Sequence, residues 1–401
     1  MEPKVKFKGF EGEWSKVKLC SISKKVTTRN MDMKYTTTLT NSAEHGIIDQ
    51  LAFFDHQVSN NNNISGYYVV ENGDFVYNPR ISALAPVGPI NQSQIGYTGV
   101  MSPLYYVFRV DGVDTDYLSY YFKTTLWHQY LKDVGNSGAR FDRLAITDGD
   151  FQEMPISLPT NREEQHAIAS YFRTLDAKLQ ASAKKVESLK KLKSASLVAM
   201  FPQNGESMPK VRFKGFEGEW DKQSASDLFL TIDERNRPEL PVLSACQDVR
   251  GMIPRDKIGF NVSHDTSNEV TYKRVQPGQF VIHLRSFQGG FAHSSYDGII
   301  SPAYTVFDFK NKEQHDDYYW KIVFMSRSFI ERLRLITYGI RDGRSISFNE
   351  FKELSFLFPS KEEQQAIASF FRSLDCKIAL ETARLEKLKQ IKLACLDKMF
   401  V

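Results

Sequence analysis

Two triplets in this 401-residue chain have the spacing of a phosphodiester-cleaving site: Asp32–Met33–Lys34 and Glu350–Phe351–Lys352. In such a site carboxylates hold a divalent cation that activates water. Triplets of this kind are common by chance. Other chemistries lack their loops. No Pro-Pro dipeptide offers the N/D-P-P-F/Y loop that grips an amino group for methyl transfer, and Asn78–Pro79–Arg80 is only superficially similar. Phe287–Phe291 (FQGGF) lies between strand-like runs without the helix that a dinucleotide-type turn needs. No Gly-Lys step exists to build a phosphate loop. Ser102 and Ser301 sit in Ser-Pro turns outside any G-x-S-x-G elbow. The eight histidines miss metal-ligand spacings, and His283 and His293 read as fold residues. No catalytic residue and no metal site are expected.

The polar loops are candidates for binding, with nucleic acid one ligand that the net charge permits but does not demand. Arg and Lys suit guanine edges, Asn and Gln suit adenine, and phosphate contacts set register. Loops rich in these types recur. They hold Arg29, Asn30 and Lys34; Asn78 and Arg80; Arg140 and Arg143; Arg235, Asn236 and Arg237; Arg285; and Arg341 and Arg344. Arg80 and Arg285 follow the same G-x-F-V strand, and Arg140/Arg143 and Arg341/Arg344 follow a glycine before a long helix. Arginines at matching turns suit phosphate clamps, and equally suit solvated surface charge or a structural pair with a local Asp. Arg29, Asn30, Arg235 and Asn236 occupy places read as non-equivalent and are the better base-reading candidates. The net charge of +4 permits nucleic-acid binding only through a local basic surface.

These residues are carried by a tandem repeat. Pro3–Trp14 (PKVKFKGFEGEW) and Pro209–Trp220 (PKVRFKGFEGEW) differ at one position, 206 residues apart. Gly73–Arg80 answers Gly278–Arg285, Gly96–Val110 answers Ser295–Phe309, and Asp116–Phe122 answers Asp317–Val323. Between the anchors the halves diverge, as two readers of different targets on one frame would. Trp14, Phe10, Trp220 and Phe216 belong to the frame and read as packing residues.

Residues 162–201 and 361–400 share 20 identities in 40 positions and contain neither Gly nor Pro. Each follows a proline and a capping residue, with paired glutamates in the first turn. Ile168, Phe172, Leu175, Leu179, Val186 and Leu189 alternate by fours and threes, and so do Ile367, Phe371, Leu374, Ile378, Leu385 and Leu388. Ser182/Glu381 and Lys193/Lys392 interrupt the two seams, and 181–185 predicts a looser turn. This 3.5-residue repeat predicts an antiparallel coiled coil of two helices, each about 60 Å long. If the halves are equivalent, Phe7–Trp14 packs near the end of the second helix and the fold is circular.

The length suggests two to three domains. The scattered Cys20, Cys246, Cys376 and Cys395, the missing signal peptide and the missing 18-residue apolar run fit a reducing cytoplasm. Strand-like runs cover 66–70, 74–77, 104–110, 279–284 and 303–309, and helices are expected at 115–131 and 316–335. The fold class is mixed α/β (α+β).

The duplicated box, the P-x-x-[KR]-E-E-Q-x-A-I-A-x-[FY]-F-R-x-L-D-x-K helix start and the two-reader layout resemble specificity (S) subunits of type I restriction–modification systems. The resemblance covers nearly the whole chain. It implies target-recognition domains at 1–160 and 206–359, spacer helices at 161–205 and 360–401, and a bipartite, gapped target in double-stranded DNA. It implies two modification subunits that use S-adenosylmethionine to methylate adenine. It further implies two restriction subunits that use ATP and Mg2+ to translocate and cut. None of these cofactors is expected on this chain, and no membrane partner is expected. The target bases do not transfer by resemblance, because they are read by the divergent inserts.

Overall fold

A computed structural model describes residues 2–53, 64–136, 142–203, 205–246, 251–257, 266–283, 290–336 and 346–401. The chain divides into two compact units, Met1–Ala183 with Ala383–Val401, and Lys184–Thr382. The division falls inside both long helices, so unit 1 is completed by a segment remote in sequence while unit 2 is one continuous stretch.

In unit 1, Trp14–Lys18 pairs antiparallel with Pro155–Pro159. A four-stranded sheet runs Ser23–Lys25, Tyr106–Val110, Phe75–Tyr77, Ile90–Gln92. In unit 2, Asp221–Ser224 pairs with Ser355–Phe358. Its main sheet has six strands among the described residues, and Thr305–Phe309 and Phe280–Ile282 are adjacent in it. The same strand pair opposes Phe75 to Phe108 and Phe280 to Phe307. Beside it a polar pair is exchanged. Arg109 donates to buried Asp74 at 2.7 and 3.0 Å, whereas Gln279 Nε2 donates to buried Asp308 at 3.0 Å. The glycine of the repeated G-[VI]-[MI]-S-P segment is fixed by close approach. A Cβ on Gly99 would lie 2.7 Å from Leu39 Cγ, and one on Gly298 2.6 Å from Leu243 Cγ.

The helix-start motif also has a physical cause. Gln165 is buried; its amide donates to Pro159 O at 2.9 Å and its carbonyl accepts from Asp114 N at 3.0 Å. Gln364 makes the same bonds with Pro359 O and Asp316 N. One side chain thereby locks the helix entrance to the capped start of a second helix, because Asp114 and Asp316 cap Thr115–Tyr121 and Asp317–Met325. These caps place Asp114 opposite Asp316, so the frame shift here is 202 residues. The alignment of Asp116–Phe122 with Asp317–Val323 is therefore off by one.

The long helices are continuous over Arg162–Ala199 and Lys361–Lys398. Residues 181–185 loosen nothing in the backbone. Ile168, Phe172, Leu175 and Val186 are buried, as are Ile367, Phe371 and Leu374; Leu179, Leu189, Ile378, Leu385 and Leu388 are half-buried. Within unit 1, Asp176 meets Lys392 and Tyr171 meets Cys395, an antiparallel register. Within unit 2, Asp375 meets Lys193 in the same sense. The lysines that interrupt the seams are thus paired with the aspartate of the other helix.

The repeated box closes each unit onto the end of a long helix. Val5 N donates to Lys398 O at 3.0 Å and Phe7 packs on Tyr171 in unit 1. Val211 N donates to Ala199 O at 2.9 Å and Phe213 packs on Phe370 in unit 2. Trp14 and Trp220 are buried against Phe400 and Phe201. Phe10 and Phe216 are only half-buried.

The expected helix over 115–131 is two, Thr115–Tyr121 and His128–Val134, and that over 316–335 is Asp317–Met325 and Arg327–Ile336. Thr124 Oγ1 bonds to Tyr121 O and buried Trp127 bonds back to Phe122 O, turning the first. Ser326 leaves helical geometry and caps the next helix through Phe329 N, breaking the second.

His315 is buried in unit 2, stacked on Phe309 with ring centroids 4.8 Å apart and edge-on to Trp320 and Phe358. Burial, with the Lys361 charge nearby, pushes its pKa down to about 4. The folded state resists protonation that the unfolded chain accepts from about pH 6.5 downward. Stability of unit 2 is therefore expected to fall between pH 6.5 and 4, by on the order of 2 kcal/mol. Urea unfolding across this range checks it: the decline should shrink in His315→Phe, and an unchanged decline refutes the assignment.

Candidate nucleic-acid interface

Unit 1 presents a cleft of about 270 Å³ whose lining includes Asn41, Ser42, Asn78, Arg80, Tyr105 and Arg143. Its floor is an asparagine network. Buried Asn41 donates to Val76 O at 2.7 Å and accepts from Asn91 at 2.7 Å. Asn78 donates to Asn41 O at 2.9 Å and accepts from Arg80 N at 3.0 Å. Asn78 is thus occupied in holding the cleft, and the groups left at its mouth are guanidiniums. Arg80 is exposed and meets Asp142 at 3.4 Å. Arg143 is half-buried opposite it.

A second edge of unit 1 carries Arg29, Asn30 and Lys34. Arg29 is exposed, donates to Gly66 O at 3.1 Å and lies over the Tyr68 ring. Asn30 is fully buried; its amide donates to Tyr35 O at 2.8 Å and accepts from Tyr35 N at 3.1 Å. This corrects the expectation that Asn30 reads bases, since both ends of its side chain are spent on its own turn. That turn exposes Met31, Met33 and Lys34 and holds Met33 at φ +56°.

In unit 2 the candidate arginines are bound to neighbours. Arg235 donates to both oxygens of Asp233 at 2.6 and 3.0 Å, a pairing that holds the Asp233 carboxyl below its usual range. Arg237 donates to Glu239 at 2.5 Å, which likewise lowers that carboxyl. Asn236 is exposed at φ +64°, with its backbone N bonded to Val270 O. Arg29 bridges Tyr68 and Arg235 bridges Lys273, each at the first residue of corresponding strands. The two Arg-Asn pairs are therefore equivalent in place, against the reading that set them apart. Arg140, Arg285, Arg341 and Arg344 lie outside the described residues.

Sequence reasoning missed the groups that seat a short helix of each unit on a long helix. The Tyr120 hydroxyl donates to Asp176 at 2.9 Å and the Tyr318 hydroxyl to Asp375 at 2.9 Å. Burial and the carboxylates push both phenols up, so they remain donors. The signal available was an aspartate and a lysine repeated at matching places of both helices, Asp176 with Asp375 and Lys193 with Lys392.

The hydrolytic triplets dissolve on inspection of their partners. Glu350 forms a capping box with Ser347, accepting from Ser347 N at 2.8 Å, and Phe351 is buried. Asp32 accepts from Lys34 N within its own turn. Among the described residues no group of three or more His, Cys, Asp or Glu could hold a metal ion, and no helix is long and apolar enough to cross a membrane. The arrangement offers charge and hydrogen bonds at exposed loops on rigid sheets, which suits recognition.

Comparison with known proteins gives the same direction. The chain matches the family described as Type I restriction modification DNA specificity domain twice, over residues 13–191 and 219–390. Its backbone is similar to the S subunit of a type I restriction–modification system from M. genitalium, with 15% identity and TM-score 0.58, over 100% of this chain and 99% of that one. It is also similar to a chain in a structure of the assembly and conformational transition of the type I R-M system, with 16% identity and TM-score 0.50, over 97% and 98%. At these identities the structural likeness is one of fold. No curated protein matches the sequence.

Proposed function

This chain belongs to the type I restriction modification DNA specificity family, and we propose that its two units each read one half of a bipartite, gapped target in double-stranded DNA. The observation that carries this reading is the doubled family match falling on two separately closed units. Each unit has its own box and helix end, so the frame is constant while the inserts differ. The chain supplies recognition and contributes no catalytic group. Two modification subunits, carrying S-adenosylmethionine, methylate adenine where it directs them; two restriction subunits, carrying ATP and Mg2+, translocate and cut.

The test is co-expression with a cognate modification subunit and single-molecule sequencing of host DNA for methyladenine. A gapped motif is expected, and exchanging residues 15–160 for those of another specificity subunit should change one half of it and spare the other. Methylation that ignores this chain, or an exchange that alters both halves, refutes the reading.

A further inference from the structure

Arg80 and Arg143 face each other in a geometry that the free protein has reason to avoid. Leu144 N donates to Pro79 O at 2.9 Å and Ile81 N donates to Asp142 O at 3.0 Å. These bonds bracket the antiparallel bridge between Arg80 and Arg143, which makes them a non-hydrogen-bonded pair. That is the closer antiparallel geometry, with Cα atoms about 4.5 Å apart and side chains on one face. Like charges placed directly opposite weaken a ladder.

Local neutralisation covers only half of the pair. Asp142 lies 3.4 Å from Arg80, but the two side chains are 52% and 63% exposed, where such a contact is weak. Arg143 has no hydrogen bond or ion pair among the described residues. Two other arginines are matched closely: Arg274 donates to Asp297 at 2.7 and 2.9 Å and to Glu234 at 2.8 Å, and Arg109 is matched by Asp74 and Glu71. Nor can the two drift apart readily. The bracketing bonds fix both backbones, and Asn78 ties Arg80 N to the buried Asn41 strand.

We infer that Arg80 and Arg143 form a clamp on one backbone phosphate of the DNA that unit 1 reads. This rests on the DNA-recognition reading above. A phosphodiester carries one negative charge on two non-bridging oxygens, and charge-assisted bonds from two guanidiniums match it. A contact of this kind positions the reader on the duplex without specifying a base. The cleft beneath, floored by Asn41 and Ser42, then sits against the backbone at a set register.

The experiment uses the full chain in complex with its modification subunits and two duplexes, one bearing the methylated motif and one with that motif scrambled. Affinity is measured from 50 to 300 mM NaCl for wild type, Arg80→Gln, Arg143→Gln and the double variant. Each single variant is expected to weaken both duplexes, on the order of tenfold at the lowest salt. The double variant should lower the salt slope by about one, because one phosphate is shared. The methylated motif should stay the same. In the free chain, Arg143→Gln should raise the melting temperature by about 1–3 °C, since it relieves a like-charge pair.

A slope lowered by about two means two separate phosphates and overturns the shared clamp. Unchanged affinity, a motif altered in one half, or a melting temperature lowered by several degrees also overturns it. A wild-type complex that binds neither duplex overturns the recognition reading and the clamp together.

Discussion

Phe400→Ala is expected to destabilise unit 1 by about 3–5 kcal/mol while leaving unit 2 protected. The ring is buried against Trp14, Tyr117, Tyr121 and Phe172, with centroids 5.3–6.5 Å away. Truncation leaves a cavity among aromatic rings held by separate elements, which cannot all collapse inward. Phe201→Ala should do the reverse, because Phe201 fills the same place beside Trp220, Tyr319 and Phe371 in unit 2. Hydrogen exchange resolved along the sequence checks both. Loss of protection spread equally over residues 14–160 and 220–358 in either variant would contradict the assignment of each ring to its unit.

The second large effect is expected at the one position where the two boxes differ. Arg212 donates to buried Glu363 through Nε at 2.8 Å and Nη2 at 2.6 Å, and through Nη1 to Gly218 O at 2.6 Å. The carboxylate holds the guanidinium charged, raising its pKa further. Arg212→Met strands a buried carboxylate and should cost about 3 kcal/mol, at the low end for a broken buried pair because Arg212 keeps some exposure. The double variant Arg212→Met with Glu363→Leu should recover much of that loss, since neither charge then needs a partner. Unit 1 is built differently: Lys6 donates to Gly12 O, and Glu164 accepts from Trp14 Nε1 at 3.4 Å. Lys6→Met should therefore cost far less than Arg212→Met. Equal losses in urea unfolding would show that the ion pair is not what distinguishes the boxes.

The frame was legible in the sequence because it is made of periodic and duplicated signals. The heptad spacing picked out seven residues that are buried and five that are half-buried, and the doubled box located the aromatic closure at Trp14 and Trp220. What escaped was set by competing partners a few residues away, which type and spacing do not reveal. Asn30 is a good base reader by type, yet Tyr35 backbone groups take both ends of its amide. Arg235 and Arg237 are good phosphate ligands by type, yet Asp233 and Glu239 occupy them. Glu350 has the spacing of a metal ligand and serves as a helix cap. Residue type and spacing report what a side chain can do; competition among neighbours decides what it does.

The closure of unit 1 by Phe400 reverses the usual order in which a nascent chain matures. Residues 2–183 leave the ribosome first, but their core lacks the ring that fills it until all of 184–382 has been made. Unit 2 needs only contiguous sequence and can settle during synthesis. The half that is born first is therefore finished last, and it must wait with an open aromatic socket beside Trp14. During that wait the ring of Phe201 is a close chemical copy of the one the socket accepts.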